Sequence, residues 1–266
     1  MRRHFHKMHG LGNDFVIVDA REMPFDVTPS LARAIADRRI GVGCDQLIVL
    51  EPSDSAALRM RIWNADGGEV ESCGNATRCV VALTGAASIE TAGGMLEGAA
   101  VGDEVEVSIG EPRFAWDEIP LAYPMDTTAL PMAWDGLEQP FAINVGNPHV
   151  VFFVPDAREV PLQDLGACIE HDPAFPQRIN VNIATIVDNR LKLRTFERGA
   201  GETLACGTGA CASAVAAIAT RRAQSPVTVD MAGGSLIVSW QAGQPIRMRG
   251  AATHVFSGEL DLETLS

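Results

Sequence analysis

LRMRIWNADGGEVESCGNATRC (Leu58–Cys79) aligns without a gap on LKLRTFERGAGETLACGTGACA (Leu191–Ala212). In this alignment Cys73 meets Cys206, and the offset of 206 − 73 = 133 is half of the 266-residue chain. A repeat of this length in two copies is too long and too rare for a solenoid. The alignment therefore predicts two homologous domains that arose by internal duplication.

A second match lies upstream, where GNDFVIV from Gly12 aligns with GNPHVVF from Gly146. Each half then reads as three strands, a Gly/Glu loop, a cysteine and a helix. The predicted helices, 75–86 and 208–221, carry small and aliphatic residues on all sides, which is typical of central buried helices. The fold class is therefore α/β, and the proline-rich stretch 111–140 is the expected crossing between domains 1–118 and 119–266. Residues from about 253 to 266 are expected to pack back on the first domain.

The charge balance disfavours anionic macromolecules as partners. The formal net charge is −13, so nucleic acids and anionic membranes would be repelled. A small molecule is the expected partner. The basic N-terminus is not followed by an apolar segment of signal-peptide length, and the six cysteines form no C-x-x-C pair, which argues against zinc and against a disulfide scaffold. We expect reduced thiols in a cytoplasmic protein, with no metal.

The repeated cysteines suggest acid–base chemistry. Each stands at the start of a predicted helix, where free backbone N–H groups and the helix dipole bind anions and lower the pKa of a thiol. We expect the duplication to oppose Cys73 and Cys206 across an interdomain cleft. One thiolate would then remove a proton from a carbon and the other thiol would return a proton to the opposite face. The sequence has no lysine-centred motif for pyridoxal phosphate, so we expect no cofactor.

Polar residues at strand ends and helix starts complete the candidate site. Asparagine amides donate and accept hydrogen bonds without titrating, and five occupy such positions: Asn13, Asn64, Asn75, Asn147 and Asn180. Glu197 could bind an ammonium group, and Arg198 could bind a carboxylate with two hydrogen bonds. The expected ligand has two carboxylates and at least one ammonium. Glu69 and Glu202, which also repeat, are expected to hold the loops.

These motifs together resemble the diaminopimelate epimerase family, a group of pyridoxal-independent amino-acid racemases. The resemblance runs from HGLGNDFVIVD through GVGCDQ, NADGGEVESCGN, GNPHVV, RINVN and FERGAGETLACGTGACA to ATHVFSGEL. It implies interconversion of LL- and meso-diaminopimelate, for lysine and cell-wall synthesis. It also implies two α/β domains, each with a mostly antiparallel or mixed sheet wrapped around a central helix, and a homodimer.

The resemblance also implies roles for individual residues. The catalytic acid/bases fall on Cys73 and Cys206, with His149 and Glu197 helping the thiols to exchange protons. The implied substrate contacts are Asn13, Gln46, Asn64, Gly74, Asn75, Asn147, Asn180, Glu197, Arg198, Gly207 and Thr208.

Three other functions compete with epimerisation of a diamino diacid. A proline or hydroxyproline racemase uses similar chemistry, but Glu197-Arg198 argues against substrates that have no distal charged end. A thiol redox protein would use the two cysteines as a reversible disulfide. A non-catalytic amino-acid binder would keep the cleft and need neither thiol.

Overall fold

The computed structural model describes residues 2–71 and 73–263. Contacts between residues divide the chain into two compact units, of which the first runs to Val107 and resumes at Gly250, and the second is Ser108–Arg249. The domain boundary near residue 118 was inferred from the sequence and stays a prediction. Within the described residues, no helix has the length and apolar character needed to cross a membrane.

The described residues form strands and four α-helices. The strands are β1 (Arg2–Gly10), β2 (Asn13–Asp19), β3 (Gln46–Glu51), β4 (Leu58–Asn64), β5 (Glu69–Val70), β6 (Ser88–Thr91), β7 (Gly94–Val101), β8 (Glu104–Gly110), β9 (Ala133–Trp134), β10 (Leu137–Glu138), β11 (Phe141–Asn144), β12 (Pro148–Phe153), β13 (Asn180–Val187), β14 (Arg190–Glu197), β15 (Gly201–Thr203), β16 (Val227–Met231), β17 (Gly234–Ser239), β18 (Ile246–Gly250) and β19 (Thr253–Asp261). The helices are α1 (Pro29–Ala36), α2 (Gly74–Thr84), α3 (Leu162–Glu170) and α4 (Gly207–Ala219).

The two units repeat one order of strand pairing. In the first, β2 pairs antiparallel with β1 and parallel with β3; β4 pairs antiparallel with β3 and β5 and parallel with β6, which continues antiparallel to β7. In the second, β12, β13, β14, β15, β16 and β17 follow the same order of antiparallel and parallel pairs, starting from β11. The predicted duplication and mixed-sheet α/β fold are confirmed. In addition, β19 pairs antiparallel with β1.

A central helix lies against the sheet of each unit. In α4, the residues from Ala210 to Ala217 are all buried, because alanine and other small side chains let strands approach from several sides. The helix contacts β11, β12, β13, β14, β16 and β17. In α2 the buried run is Asn75–Val81, and the helix contacts β1, β2, β7 and β19. Both predicted central helices are confirmed, each with its start one residue earlier than predicted.

A cysteine caps the start of each central helix. Cys73 and Cys206 have extended backbone angles (φ −150°, ψ 111° and φ −121°, ψ 108°) directly before the first helical residue. Such a cap leaves the first backbone N–H groups of the helix without intrahelical partners. The end of α2 is set by Gly85, whose φ of 70° lies in the left-handed region that glycine adopts without strain.

An arginine–glutamate pair fixes the loop before each capping cysteine. Arg61 binds Glu69 through two hydrogen bonds of 2.7 and 2.9 Å, and Arg194 binds Glu202 at 2.7 and 3.0 Å. Two parallel hydrogen bonds give an arginine–carboxylate pair a defined geometry. The repeated glutamates therefore hold the loops, as the sequence predicts.

Candidate active site

Cys206 lies at the start of α4 with its sulfur inside the protein. Only 4% of the residue is exposed. Its Sγ accepts a hydrogen bond from the backbone N–H of Gly209 at 3.3 Å and lies 3.5 Å from the Thr208 hydroxyl oxygen. Gly207 and Thr208 form the first turn, where the remaining free N–H groups could bind a carboxylate.

The pKa of the Cys206 thiol lies well above its ordinary value. Burial is the largest cause, and the neighbouring Glu197 carboxylate raises the pKa further, while Thr208 and the Gly209 N–H act in the opposite direction. The predicted lowering of the pKa by the helix start is therefore wrong for Cys206. The helix does favour the thiolate, but burial and a nearby negative charge outweigh it, and the thiol is held protonated.

Glu197 ends β14 and Arg198 directly follows it, and the two side chains lie in different environments. The Glu197 carboxylate accepts a 2.6 Å hydrogen bond from the Thr203 hydroxyl, which fixes it next to Cys206. Arg198 is exposed, and its guanidinium donates to the Gln177 carbonyl at 3.0 Å. The turn that follows Arg198 is held by the buried Glu170 carboxylate, which accepts a hydrogen bond from the Gly199 backbone N–H at 2.9 Å.

Asn180 is buried and its amide is engaged at both ends. Nδ2 donates to the Pro148 carbonyl at 2.8 Å, and Oδ1 accepts from the Arg198 backbone N–H at 3.0 Å. Asn180 thus ties the start of β12 to the Glu197-Arg198 turn.

His149 and Asn147 form a hydrogen-bonded pair at the start of β12. The His149 Nε2 atom lies 2.8 Å from the Asn147 Oδ1 atom, and the Asn182 amide lies 3.1 Å from the other ring nitrogen. The imidazole is fully buried. Burial, reinforced by the positive charge of Arg198, lowers the pKa of His149 to about 3.

In the first unit, Cys73 lies half-buried among amides. The Asn13 Oδ1 atom is 3.9 Å from the Cys73 sulfur and accepts a 3.2 Å hydrogen bond from the Asn75 amide. Asn75, in the first turn of α2 after Gly74, accepts a 2.9 Å hydrogen bond from the buried Arg78 guanidinium. The structure therefore brings the predicted site residues Asn13 and Asn75 together beside the Cys73 sulfur.

A charged network holds Asn13 from behind. Its Nδ2 donates to the Asp45 carboxylate at 2.9 Å, and the other Asp45 oxygen accepts from Arg38 at 2.8 Å. Arg38 also binds Asp14 at 2.7 Å, and Asp14 in turn pairs with Lys7 at 2.6 Å. Burial would raise the pKa of Asp14, but hydrogen bonds from Arg38 and Lys7 outweigh it and hold the pKa well below its usual range.

Gln46 and Asn64 face each other where β3 and β4 pair. Gln46 Nε2 donates to Asn64 Oδ1 at 2.9 Å. Within the described residues the buried Gln46 Oε1 atom has no hydrogen-bond partner. A buried acceptor left without a donor is costly unless a ligand or water satisfies it, so this carbonyl suits a donor such as an ammonium group.

The sequence did not single out the residues that hold these side chains in place. Among them are Asp45, Asn182 and Thr195, whose hydroxyl hydrogen-bonds to the Asn182 amide at 3.0 Å. Asp45 directly precedes Gln46 and reads as an ordinary loop acid. Asn182 lies two residues after Asn180 in an otherwise apolar strand, so strand alternation places both amides on one face. That spacing was the available signal for Asn182, whereas a threonine such as Thr195 is common in any strand.

No group of three or more His, Cys, Asp or Glu side chains in the described part of the chain is arranged to hold a metal ion.

Solved structures share the fold. A phenazine biosynthesis protein of the PhzF family from Bacillus anthracis matches with a TM-score of 0.68 at 15% identity, covering 98% of this chain and 99% of that one. A hydroxyproline epimerase from Agrobacterium vitis, with bound trans-4-hydroxy-L-proline, matches with a TM-score of 0.64 at 15% identity, covering 97% of this chain and 92% of that one.

Sequence relatives are much closer. Proteins named diaminopimelate epimerase from Rhizorhabdus wittichii and Sphingopyxis alaskensis are each 61% identical to this chain; the first match covers 98% of this chain and 97% of the relative, and the second covers 98% of both. The sequence model described as diaminopimelate epimerase matches residues 5–115 and 141–255. The chain therefore belongs to the diaminopimelate epimerase family, whose members are amino-acid isomerases.

Proposed function

We propose that the chain interconverts LL- and meso-diaminopimelate by passing protons at one Cα between substrate and two thiols, those of Cys73 and Cys206, without a cofactor. The observation that carries this proposal is the repeated capping of a central helix by a cysteine. The names of the relatives support the substrate and a place in the synthesis of lysine and peptidoglycan precursors.

Inversion at a carbon requires one base and one acid on its opposite faces. One cysteine, as thiolate, takes the Cα proton and becomes a thiol. The other, as thiol, gives its proton to the opposite face and becomes a thiolate. One turnover thus exchanges the protonation of the two sulfurs, and the reverse reaction restores it. The raised pKa of Cys206 suits a residue that enters one direction of the reaction as the acid.

The weak acidity of an amino-acid Cα–H must be offset where negative charge develops. As the proton leaves, charge builds on the α-carboxylate. The free backbone N–H groups after each capping cysteine, at Gly74-Asn75 and Gly207-Thr208, are preorganised donors for it. Removing one such donor from an active site typically costs about 10²–10³ in rate.

The other polar side chains fit the remaining charges of a diamino diacid. Gln46 Oε1 and the Glu197 carboxylate are acceptors suited to an ammonium group. Arg198, Asn64 and Asn147 offer donors suited to the distal carboxylate. We also propose that Asn13, Asn75 and Asn180 contact the substrate.

We further propose that the protein is cytoplasmic and forms a homodimer. Sedimentation equilibrium of the purified chain would test the dimer.

Deuterium exchange tests the reaction. LL- or meso-diaminopimelate is incubated in D2O under reductant with wild type, Cys73→Ala, Cys206→Ala and, as a matched control, Cys168→Ala, which removes an exposed thiol. Wild type and the control should incorporate deuterium with inversion, and inversion by either of the other variants should fall by about 10³-fold or more.

Failure of wild type to exchange the diamino diacid would reject the proposed substrate. 4-Hydroxyproline and proline are tested in parallel, because exchange of either in place of diaminopimelate would indicate the racemase alternative. Electron transfer between the two thiols and a dithiol reductant, without Cα exchange, would indicate the redox alternative.

A further inference from the structure

A buried chain of hydrogen bonds runs through the second unit behind Asn147. The Thr195 hydroxyl donates to Asn182 Oδ1 at 3.0 Å, and Asn182 Nδ2 lies 3.1 Å from His149 Nδ1. The opposite ring nitrogen, Nε2, is 2.8 Å from Asn147 Oδ1. Thr195, Asn182 and His149 are all buried, whereas Asn147 is partly exposed.

The direction of every hydrogen bond in this chain is determined. Asn182 Nδ2 also donates to the Val150 carbonyl at 3.0 Å, and a carbonyl can only accept, so this end of the amide is the nitrogen. His149 Nδ1 must then accept, which places the single proton of a neutral imidazole on Nε2. Nε2–H donates to Asn147 Oδ1. The NH2 group is therefore the end of the Asn147 amide left for a ligand.

The duplicated half shows that the fold does not need these polar groups. Strand register makes Phe15 the equivalent of His149, because Phe15 pairs with Gln46 as His149 pairs with Asn180. Likewise Ile48 pairs with Ile62 where Asn182 pairs with Thr195. All three first-half residues are buried and apolar. Burying polar groups in their place costs free energy unless each is satisfied, so the second half retains them for another reason.

The start of α4, next to Cys206, is adapted to the same chain of hydrogen bonds. A Cβ atom at Gly209 would lie 2.6 Å from Asn182 Oδ1 and 2.9 Å from Thr195 Oγ1. The equivalent residue three positions after Cys73 is Ala76, which is also buried. Gly209 thus makes room for polar atoms that the first half lacks.

We propose that Thr195, Asn182 and His149 are positioning residues that lock the Asn147 amide with its NH2 group toward the ligand, making Asn147 a donor that selects a carboxylate over an ammonium. The identity of the ligand rests on the proposed function. The lock, meaning the hydrogen bonds that fix the Asn147 amide, is independent of that function. In this arrangement His149 is a fixed neutral donor, in place of the proton-exchange role that the family resemblance implies. The pKa of about 3 agrees with this, since the ring stays neutral at physiological pH.

The tautomer of His149 is the direct test. Wild-type protein labelled with 15N-histidine is studied by long-range 1H–15N NMR from pH 5 to 9, and His149→Gln assigns the signal by its loss. We expect one ring with a proton on Nε2 and none on Nδ1, unchanged across this range. A proton on Nδ1, or titration of this ring, would overturn the proposal. The readout needs no turnover, so it is independent of the proposed function.

Kinetics of two His149 variants separate positioning from proton transfer. Glutamine keeps a neutral donor and acceptor but cannot act as an acid or base near neutral pH, whereas phenylalanine copies the equivalent residue of the first half. We expect His149→Gln to keep kcat within about tenfold of wild type and His149→Phe to raise KM for diaminopimelate by about tenfold, the equivalent of one lost hydrogen bond. A His149→Gln variant as inactive as Cys206→Ala would refute the positioning role.

Asn182→Ile extends the test to the next residue of the chain. It should raise KM about tenfold with a smaller change in kcat, and it should let the His149 ring take both tautomers in the NMR spectrum. Unchanged KM together with an unchanged tautomer would show that Asn182 does not act through His149. If the expected tautomer is observed but wild type does not turn over diaminopimelate, the lock stands and only the proposed substrate falls.

Discussion

Asn13 and Asn147 occupy equivalent positions in the two halves, yet they present opposite ends of their amides. A carboxylate, Asp45, holds the Nδ2 group of Asn13 at 2.9 Å and leaves the carbonyl facing the Cys73 sulfur. The imidazole of His149 lies 2.8 Å from the side-chain carbonyl oxygen of Asn147, which leaves the NH2 group as the end of the amide that can face a ligand. Duplication therefore preserved the amide, while the residue hydrogen-bonded behind it decides whether that amide accepts or donates.

The supports behind the two amides also differ in charge. Behind Asn13 stand Lys7, Asp14, Arg38 and Asp45, a network of alternating ionic partners. Behind Asn147 every partner is neutral. The stability that a charged network contributes depends on pH and falls strongly when one member is removed. The stability of a neutral hydrogen-bonded chain depends mainly on how well its side chains fit together.

The largest expected effect is on the charged side. Asp14→Asn leaves the mostly buried Lys7 ammonium without its ionic partner, and we expect a loss of about 3 kcal/mol in the free energy of unfolding at pH 7. Because the folded-state pKa of Asp14 is lowered, its contribution is present above the unfolded pKa of about 3.9 and fades as pH falls below it. Urea unfolding of wild type and Asp14→Asn measures the difference in their free energies of unfolding, which should be smaller at pH 3.5 than at pH 7.

Asp19→Asn is the matched control for this prediction. Asp19 lies on the same strand and pairs with Arg21 at 2.6 Å, but both side chains are more than a third exposed. An exposed pair contributes at most about 1 kcal/mol. Equal losses in the two variants would show that the buried network contributes nothing special to the first unit.

The neutral side should respond to shape. Gly209→Ala would normally favour a helix by up to about 1 kcal/mol, but here the new methyl group meets the Asn182 and Thr195 oxygens at 2.6 and 2.9 Å. We expect a net destabilisation of about 2 kcal/mol in urea unfolding, because the packed oxygens must shift. In a Thr195→Ala background the penalty should shrink by about half, since one of the two oxygens is gone. An additive double mutant would break the proposed link between Gly209 and the buried chain.

The sequence was sufficient to predict the duplication, the two central helices and the cysteines at their starts, because the repeat fixes register and small residues mark buried helices. The structure adds β1, whose many basic residues do not predict a strand until Arg3 and Lys7 are seen buried with partners. The direction of the Asn13 and Asn147 amides could not be read either. Both residues are the same letter, and only residues distant in sequence orient them.

The smallest expected effect is a change in the pKa of the Cys206 thiol. Glu197→Gln removes a negative charge that raises the thiol pKa, so the pKa should fall and alkylation by iodoacetamide should begin at lower pH. Peptide mass spectrometry follows Cys206 separately from the other cysteines. Glu159→Gln is the control, because it removes the same charge from an exposed residue of the same unit and should leave the alkylation profile of Cys206 unchanged. A shift in both variants would indicate a general effect of net charge, and a shift in neither would show that burial alone keeps the Cys206 thiol protonated.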